Sequence, residues 1–578
     1  MIWTMVPIAL TLFAADRPES PPPVGTRVAE FTLVEPSTKK PWALAENARD
    51  AKAVVIVFTA TGCPVCTAYL PRLKELSKQY AEDKVVWVAV ASHAADDSDT
   101  VATFATVAQL PFPILKDDGT AIADKLRVDR VPSVVVLDAS RTVRYAGRID
   151  DQFSPGVFKA KVGTAELADA LTAVLGNTEV KVAHAPAAGC RLTRERVVPK
   201  QTGAVTYHKD IAPIIQSRCQ ECHRPGEAGP FPLMSYKDAK SWSGMIREVV
   251  ADDVMPPWHA DATQGHFKND RRLSTAEKSK LMTWIDDGSP EGDAADAPPL
   301  RKYVEGWRLG REPDEVLRME KAIQVPAHGI VPYEYILVGT TFTEDKWLSA
   351  IEVRPEQRAV VHHIIAFLLP PDTNLLTIFG PEFGRHMLGA YVPGDQPIIA
   401  GPGQARRIPK GSRILFEIHY TPNGRAVTDR SSIGLCYAKE PPPTELFALS
   451  AMNAKFRIPP GADNHEVKSV HVFPKAATLL SVTPHMHVRG KAFRYETVTK
   501  DGKRETILNV PKYDFNWQAS YDFAKPVTVP AGTRLECTAW YDNSANNPFN
   551  PDPKKTIRFG NMTSDEMMIG FALYHDAK

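Results

Sequence analysis

Short apolar runs alternate with amphipathic stretches over the first part of the chain. Residues 53–58 form an uninterrupted apolar run of strand length, and leucines at positions 70, 73 and 76 then recur with helical spacing. Residues 84–90 and 131–137 form two more strand-like runs. Because strands that alternate with helices build an α/β sheet, the pattern predicts an α/β domain over residues 25–180.

The pattern changes to a helical period between residues 204 and 292. Capping residues and an amphipathic period over residues 273–286 predict a helix that closes this region. We therefore expect a small all-α domain here. A linker over residues 181–203, rich in alanine, proline and charged residues, joins it to the α/β domain.

The last half of the chain has a β pattern. Runs such as 335–338 and 414–420 alternate with turns rich in proline, glycine and asparagine, which is typical of sandwich or jelly-roll sheets. A proline-rich segment, residues 440–443, lies midway. The pattern therefore predicts an all-β pair of domains, over residues 305–440 and 444–578.

The composition is that of a multidomain globular protein. At 578 residues the chain is too long for a single hydrophobic core, and its 43% hydrophobic and 24% charged residues are ordinary globular values. The 49 prolines suit β domains and extended linkers. A formal net charge of +1 does not provide the excess of positive charge that binds nucleic acid, so we expect no nucleic-acid partner.

The N-terminal residues 1–15 form an apolar run that ends in two alanines. Its length suits the core of a signal peptide and is too short for a membrane span. We therefore predict a signal peptide and export, with a short hydrophobic N-terminus on a cytosolic protein as the alternative. No other stretch is long and apolar enough to cross a bilayer, so we expect a periplasmic or otherwise extracytoplasmic protein without a transmembrane span beyond the leader.

Seven cysteines include two CxxC pairs, which suggests chemistry rather than a disulfide scaffold. Cys63 and Cys66 lie where a strand run meets a helical pattern. A helix N-terminus there stabilises the Cys63 thiolate, and Cys66 one turn later can resolve a mixed disulfide. A redox-active pair is the favoured interpretation, and a static disulfide or half of a structural zinc site is the alternative.

This arrangement resembles the thioredoxin and redoxin family. The resemblance implies a thioredoxin-like fold in which a cis-proline faces the CxxC pair, and Pro132 has the matching position. Family peroxidases carry threonine or serine three residues before the reactive cysteine. Ala60 occupies that position, so peroxidase activity is not expected. The lone Cys190 has no assigned role.

The second cysteine pair belongs to a CxxCH pentapeptide that contains Cys219, Cys222 and His223. This pattern attaches haem covalently, since both thiols add to the vinyl groups and the histidine binds iron. The region resembles class I cytochrome c modules, and Met255, in a loop beside two prolines, is the favoured sixth ligand. The alternatives for that ligand are His259 and His208. The alternative to haem is a disulfide or a zinc half-site at the two cysteines.

Paired histidines mark the β region. His485 and His487 stand at alternate positions, so on a strand both imidazoles leave the same face and can hold one metal ion. His362 and His363 are adjacent, and neighbouring strand residues point to opposite faces. Both can reach one metal ion only at a β-bulge or at a strand end.

Four short motifs supply five histidines and a methionine, a ligand set that suits copper cycling between Cu(I) and Cu(II). They cover residues 361–364, 416–420, 483–491 and 564–567. In this order they resemble the copper type II, ascorbate-dependent monooxygenases. The resemblance implies a first copper on His362, His363 and His419. It implies a second copper, where oxygen is activated, on His485, His487 and Met567. The methionines Met486, Met562 and Met568 are less favoured as ligands.

Two positions depart from the peptide-amidating members of that family, which hold a substrate carboxylate with an arginine and a tyrosine. Thr483 and Phe571 occupy these positions, so a glycine-extended peptide is not expected as the substrate. The family often has a disulfide cysteine directly after the methionine ligand. Met568 occupies that position, which leaves Cys537 without its expected partner.

The sequence therefore predicts an exported, copper-dependent, monooxygenase-like oxidoreductase that hydroxylates an aliphatic C–H bond of an unidentified small substrate with molecular oxygen. Its expected cofactors are two copper ions and one covalently bound haem c, which passes electrons to the first copper. An external electron donor or thiol reductase is a further expected partner. In a second role, Cys63 and Cys66 keep Cys219 and Cys222 reduced before haem attachment, or deliver reductant. The alternative is a copper-binding, copper-handling or electron-transfer protein without oxygenase activity.

Overall fold

The computed structural model describes residues 23–159, 161–194, 205–339, 341–371, 373 and 383–577. The predicted signal peptide and the end of the predicted linker, residues 195–203, lie outside them. The chain folds into two compact units. Of the described residues, the first unit comprises 23–61, 72–151 and 164–194, and the second comprises those in 62–71, 152–163 and from 205 onwards.

The first unit is built on a mixed sheet of eight strands. Its central strand, Ala53–Thr59, is buried along its whole length and runs parallel to Val85–Ala91 and antiparallel to Ser133–Asp138. From one edge to the other the strands are His184–Ala185, Val143–Gly147, Ser133–Asp138, Ala53–Thr59, Val85–Ala91, Ile114–Lys116, Thr32–Glu35 and Lys40–Ala43. The prediction of an α/β domain is confirmed.

The helices of this unit are Leu44–Asn47, Ser98–Ala108, Ala121–Lys125 and Glu166–Leu175, with the 3-10 turn Asp118–Thr120. The helix Pro64–Gln79 begins directly after Cys63, at the predicted junction of strand and helix. Two short strands, Arg130–Val131 and Cys190–Arg191, pair so that Cys190 lies opposite Val131. The peptide bond between Val131 and Pro132 is cis, which is the geometry predicted for Pro132.

Helices joined by turns and irregular segments make up residues 205–292 of the second unit. Their helices are Tyr207–Ile211, which is a π-helical turn, Ala212–Arg218, Tyr236–Ser241, Ser243–Ala251 and Thr275–Asp286. The predicted closing helix begins with a capping box in which the side chains of Ser274 and Glu277 each accept from the other residue's backbone N–H. The ring of Trp284 lies 6.0 Å from that of Tyr207, so the last helix packs on the first.

A segment between these helices packs into the β region instead. Trp258 and Phe267 belong to the core of the C-terminal β domain, where their rings lie 4.9 and 5.4 Å from the ring of Tyr521. The backbone at Phe267 forms a β-bridge to Phe523. Residues 258–268 therefore tie the helical region to the last domain of the chain.

The first β domain has two main sheets around one core. One sheet contains, in order, Glu315–Arg318, Ser432–Tyr437, Lys346–Arg354, Gln404–Ile408 and Thr444–Glu445, with Ile398–Ile399 beside Lys346–Arg354. The other contains Glu334–Val338, Arg413–Tyr420, Val361–Leu369 and Met387–Tyr391. Ile323–Val325 pairs with Val427–Asp429. Apolar side chains from both sheets, such as Ile351 and Ile364, share this core.

The second β domain has the same plan. One sheet contains Phe447–Met452, Ile569–Asp576, Ala477–His485 and Tyr521–Val529, and the other contains His465–Val472, Arg534–Tyr541, Gly490–Val498 and Arg504–Val510. Arg457–Ile458 pairs with Ile557–Arg558. Val482 from one sheet and Phe493 from the other meet in the shared core. The prediction of a largely β C-terminal region is confirmed.

Smaller elements complete the second unit. They are the strands Phe153–Ser154 and Val157–Phe158, the 3-10 turn Ala294–Asp296 and the helix Phe383–His386. Across the part of the chain that the structure describes, every helix is too short or too polar to cross a bilayer.

Candidate functional site

His362, His363 and His419 come together on two neighbouring strands. His363 on Val361–Leu369 lies directly opposite His419 on Arg413–Tyr420. The register of these strands shifts between Val361 and His363, which is the irregularity that two adjacent histidines need in order to face one point. The Nδ1 atoms of His362 and His363 are 3.1 Å apart, and one ring nitrogen of each of the three histidines lies within 4.8 Å of the others.

The environment of these three imidazoles fits a metal ion. Burial, with the neighbouring imidazoles adding to it, lowers the pKa of His363 and His419 well below the ordinary value, and burial lowers the pKa of His362 to about 4. The neutral form is the one that binds metal. His363 Nε2 and His419 Nδ1 are buried without a hydrogen-bond partner, which is costly unless a ligand engages them.

Tyr333 covers one side of this cluster. Its ring stacks on His419 at a centroid distance of 4.7 Å and an interplanar angle of 11°, and it lies 5.8 Å from the ring of His363. Sequence reasoning missed Tyr333, since it belongs to none of the four motifs and reaches the histidines only through the fold.

The second histidine pair lies at the end of the strand Ala477–His485. The strand ends at His485, so His487 lies beyond it and strand alternation does not place the two imidazoles on one face. The fold nevertheless brings the His485 and His487 rings to 5.4 Å. His485 Nδ1 donates to Gln518 Oε1 at 2.6 Å, and His487 Nδ1 donates to the carbonyl of Asp565 at 3.3 Å. Each ring therefore keeps its Nε2 lone pair for a metal ion, the usual arrangement of a metal-binding histidine.

Burial also lowers the pKa of these two histidines, of His485 to about 4 and of His487 to about 3. Both imidazoles are therefore neutral at physiological pH, and both fit a metal ion. Gln518, like Tyr333, lies outside the sequence motifs, so its contact with His485 could not be foreseen.

Glu566 joins the two chain segments of the second predicted copper site. Its buried carboxylate accepts from the backbone N–H of His487 at 2.8 Å and of Arg489 at 2.6 Å. Burial raises the pKa of Glu566 to about 8. Met567, the next residue, is buried in an apolar cluster with Leu415 and Phe571. The fold thus brings the segment of Met567 beside that of His487.

The other methionines have different surroundings. Met486, between the two histidines, points into the core of the C-terminal β domain, as does Met568. Met562 is 42% exposed. Cys537 is a buried thiol in the same core, in agreement with the loss of its expected partner.

The two histidine sets lie next to each other, which the sequence did not predict. The rings of His363 and His485 are 6.4 Å apart. Phe515 stacks on His362 at 4.8 Å and lies 5.9 Å from His487. The five predicted histidine ligands therefore form one cluster, in which His362 is half-buried and the other four are buried.

The CxxCH segment follows the helix Ala212–Arg218. Cys219 and Cys222 are both thiols, and burial raises the pKa of Cys219 to about 12. His223 Nδ1 donates to the carbonyl of Phe231 at 3.0 Å, which leaves the Nε2 lone pair for iron. Two reduced thiols beside a histidine oriented in this way fit covalent haem attachment.

The three candidates for the sixth haem ligand lie in different environments. Met255 is half-buried in the loop after the helix Ser243–Ala251. Burial lowers the pKa of His259. His208 Nε2 lies 3.5 Å from a carboxylate oxygen of Glu291. The choice of Met255 stays a prediction.

The first CxxC pair differs from the expected dithiol. Cys63 is disulfide-bonded, and so is Cys190, to which the sequence assigned no role. Cys66 is not part of a disulfide, so the two cysteines of the CxxC motif are not joined to each other. The redox role of this pair stays a prediction.

Two parts of the chain match known families. Residues 24–146 match the AhpC/TSA family, and residues 447–578 match the C-terminal domain of the copper type II ascorbate-dependent monooxygenases. The first match contains Cys63 and Cys66, and the second contains His485, His487 and Met567. Together they fit a redox-related copper protein.

Individual relatives match the thiol domain. Thioredoxin-like protein YneN of Bacillus subtilis is 33% identical over 123 residues, which are 21% of this chain and 68% of that protein. Thiol-disulfide oxidoreductase ResA of Halalkalibacterium halodurans is 29% identical over 89 residues, which are 15% of this chain and 49% of that protein. The chain thus spans about half the length of the second relative.

A solved structure of a hypothetical protein from Sinorhizobium meliloti is 28% identical, over 29% of this chain and 93% of that chain, with a TM-score of 0.28. Through its N-terminal domain the chain belongs to the thioredoxin-like proteins, and its residues 447–578 match the C-terminal domain of the copper type II ascorbate-dependent monooxygenases.

Proposed function

We propose that the protein is an extracytoplasmic copper monooxygenase that hydroxylates an aliphatic C–H bond of a small substrate. The observation that carries the proposal is the cluster of five neutral imidazoles, all buried except the half-buried His362, of which His363 and His419 keep ring nitrogens without partners. Imidazole with thioether is a ligand set suited to copper. Copper bound there supplies one-electron redox chemistry and the activation of oxygen.

The ligands divide into two sets. The first is His362, His363 and His419, and the second is His485, His487 and Met567. Side chains around them hold the ligands: Gln518 orients His485, and Glu566 holds the backbone at His487. Tyr333 excludes water from one side of His419 through ring stacking.

We also propose that Cys219, Cys222 and His223 hold a c-type haem, with Met255 as the sixth ligand. This haem supplies a one-electron carrier. The Cys222 thiol lies beside the backbone of Gly394, where an added Cβ would be 3.5 Å from Cys222 Sγ. This neighbourhood supports electron transfer between the two proposed centres. Gly394 follows the strand Met387–Tyr391, which pairs with the strand that carries His362 and His363.

The residue before the CxxC motif, Gly62, lies beside Trp242 of the helical region. A Cβ added at Gly62 would lie 2.7 Å from Trp242 Cζ2. The Trp242 ring stacks on Phe231 at 3.9 Å, and Phe231 holds His223. This series of contacts supports a role of Cys63 and Cys66 in keeping the haem-attachment thiols reduced or in delivering reductant, once an external thiol reductase has reduced the disulfide of Cys63. Haem attachment requires export, which supports the extracytoplasmic location.

A second candidate function is electron transfer or copper handling without oxygenation. The observation that favours it concerns the two positions that hold substrate in peptide-amidating relatives. Thr483 and Phe571 are cross-strand partners here, the Thr483 hydroxyl donates to Ser520 at 3.0 Å, and Phe571 is buried. Both side chains serve the fold of this protein.

Three measurements on the purified full-length chain test these proposals. Metal and haem analysis is expected to give two coppers and one haem per chain. Rapid mixing of the fully reduced protein with oxygen is expected to oxidise copper first. The haem is then expected to become oxidised as it passes an electron back to Cu(II). Oxygen consumption that matches formation of a hydroxylated product supports the monooxygenase. Oxidation and reduction of copper and haem without formation of such a product would support the electron-transfer function instead.

A further inference from the structure

One loop of the C-terminal β domain contacts both histidine sets. Residues 511–520, here called the strap, connect the strand Arg504–Val510 to the strand Tyr521–Val529. The Tyr513 hydroxyl accepts from the Met486 backbone N–H at 3.1 Å and donates to the Met486 carbonyl at 2.8 Å. The strap is thereby fixed to the residue between His485 and His487.

The strap also has an internal bond that stiffens it near the histidines. Gln518 Nε2 donates to the carbonyl of Phe515 at 3.2 Å, while Gln518 Oε1 accepts from His485. One side chain therefore links the backbone at Phe515 to a ligand of the second set.

The ring of Phe515 lies between the two sets. It stacks on His362 at 4.8 Å and 26°, and it meets His487 nearly edge to face at 5.9 Å and 82°. It is 6.1 Å from His419. Both geometries are the favourable ones for aromatic rings. His362 lies at the strand irregularity, where the ladder restrains its backbone less.

We propose that Phe515 is a positioning residue that fixes His362 relative to His487 and so sets the separation of two copper ions in one shared pocket. The proposal rests on copper binding by the two histidine sets and not on oxygenase activity. Stacking restricts the His362 ring to one orientation, while the bonds of Tyr513 and Gln518 hold the strap to the other set. Without the Phe515 ring, His362 gains alternative rotamers, and the two copper ions then adopt a range of separations.

The test is the magnetic interaction between two Cu(II) ions in the full-length protein, measured by electron paramagnetic resonance after loading with copper alone. The dipolar interaction falls with the cube of the distance, so it reports the separation directly. The wild-type protein is expected to show the interaction. Phe515→Leu is expected to reduce it at least threefold at equal copper content, and Phe515→Tyr, which keeps the ring, is expected to retain it.

Phe493→Leu is the matched control, because Phe493 is buried in the core of the same domain. It is expected to leave the interaction unchanged. A Phe515→Leu protein with the wild-type interaction at equal copper content would overturn the proposal, and so would a Phe515→Tyr protein as impaired as Phe515→Leu. Loss of one copper from Phe515→Leu but not from Phe515→Tyr supports it.

Failure of this proposal is distinguishable from failure of the proposed function. A wild-type protein that binds two coppers without magnetic interaction refutes the shared pocket and leaves the copper function standing. A wild-type protein that binds no copper refutes both.

Discussion

The side-chain amide of Gln518 orients His485, because its Oε1 accepts from His485 Nδ1 at 2.6 Å. Replacement of Gln518 by leucine removes this acceptor, and loss of such a partner typically costs about 10–100-fold in metal affinity. We expect that decrease in copper affinity at the proposed second site, measured by competition with a chelator. The wild-type protein titrated in parallel is the reference, because Gln518 also holds the backbone of Phe515, whose ring stacks on His362 of the first set. Unchanged affinity at the second site would contradict this role.

Glu566 is the other residue on which the second site depends. Its carboxylate accepts from the backbone N–H groups of His487, Arg489 and Met567. Glu566→Ala leaves these donors buried without an acceptor, and we expect a loss of about 3 kcal/mol in the free energy of unfolding, measured in denaturant. Glu566→Gln keeps one acceptor oxygen and is expected to lose less. If Glu566→Gln lost more stability than Glu566→Ala, the hydrogen bonds accepted by Glu566 would not be the source of its contribution.

The strand patterns in the sequence predicted much of the histidine cluster. The residues that could not be predicted lie in loops. The adjacent histidines required a bulge or strand end, and the register of Val361–Leu369 shifts there. The period-2 argument for His485 and His487 applied only in part, because the strand ends at His485. Phe515 could not be predicted, since its loop has no motif and touches His362 only through tertiary packing.

Because these strands bury neutral histidines, the stability of the metal-free protein depends on pH. The pKa of His362 and His485 is about 4, against an ordinary value of 6.5. Between these values the unfolded chain binds protons that the folded chain does not, so stability falls as the pH drops from 6.5 towards 4. One such histidine contributes about 2 kcal/mol between pH 6.5 and 5.

We therefore expect a lower Tm for the metal-free protein at pH 5 than at pH 7. His485→Leu is expected to weaken this dependence, and replacement of the exposed His328 by glutamine is the control that keeps it. An equal pH dependence in the His485 variant and the wild type would show that the buried cluster is not its source.

At the scale of the whole molecule, domain boundaries were harder to predict than domain types. The helical period over residues 204–292 suggested a self-contained domain. Trp258 and Phe267 lie instead in the core of the C-terminal β domain, against Tyr521 and Phe523. The apolar character of these two residues is visible in the sequence, but their partners follow hundreds of positions later, and no local period identifies such a contact.

This docking leads to a prediction that links stability to the haem. Trp258 lies three residues after Met255, so its burial restrains the loop of the proposed sixth ligand. Trp258→Ala removes a buried aromatic side chain and is expected to cost about 3–5 kcal/mol in the free energy of unfolding. If Met255 binds the iron, release of the loop also lowers the reduction potential of the haem, because thioether ligation raises it.

Phe456→Ala separates the two effects. Phe456 is buried in the same core, where its ring stacks on that of Tyr541 at a centroid distance of 5.8 Å. Its loss is therefore expected to lower the free energy of unfolding by a similar amount. The reduction potential, measured by redox titration of the haem absorbance, is expected to fall in the Trp258 variant and to stay unchanged in the Phe456 variant. Equal potentials in both variants and the wild type would show that the docking of residues 258–268 does not hold the haem ligand.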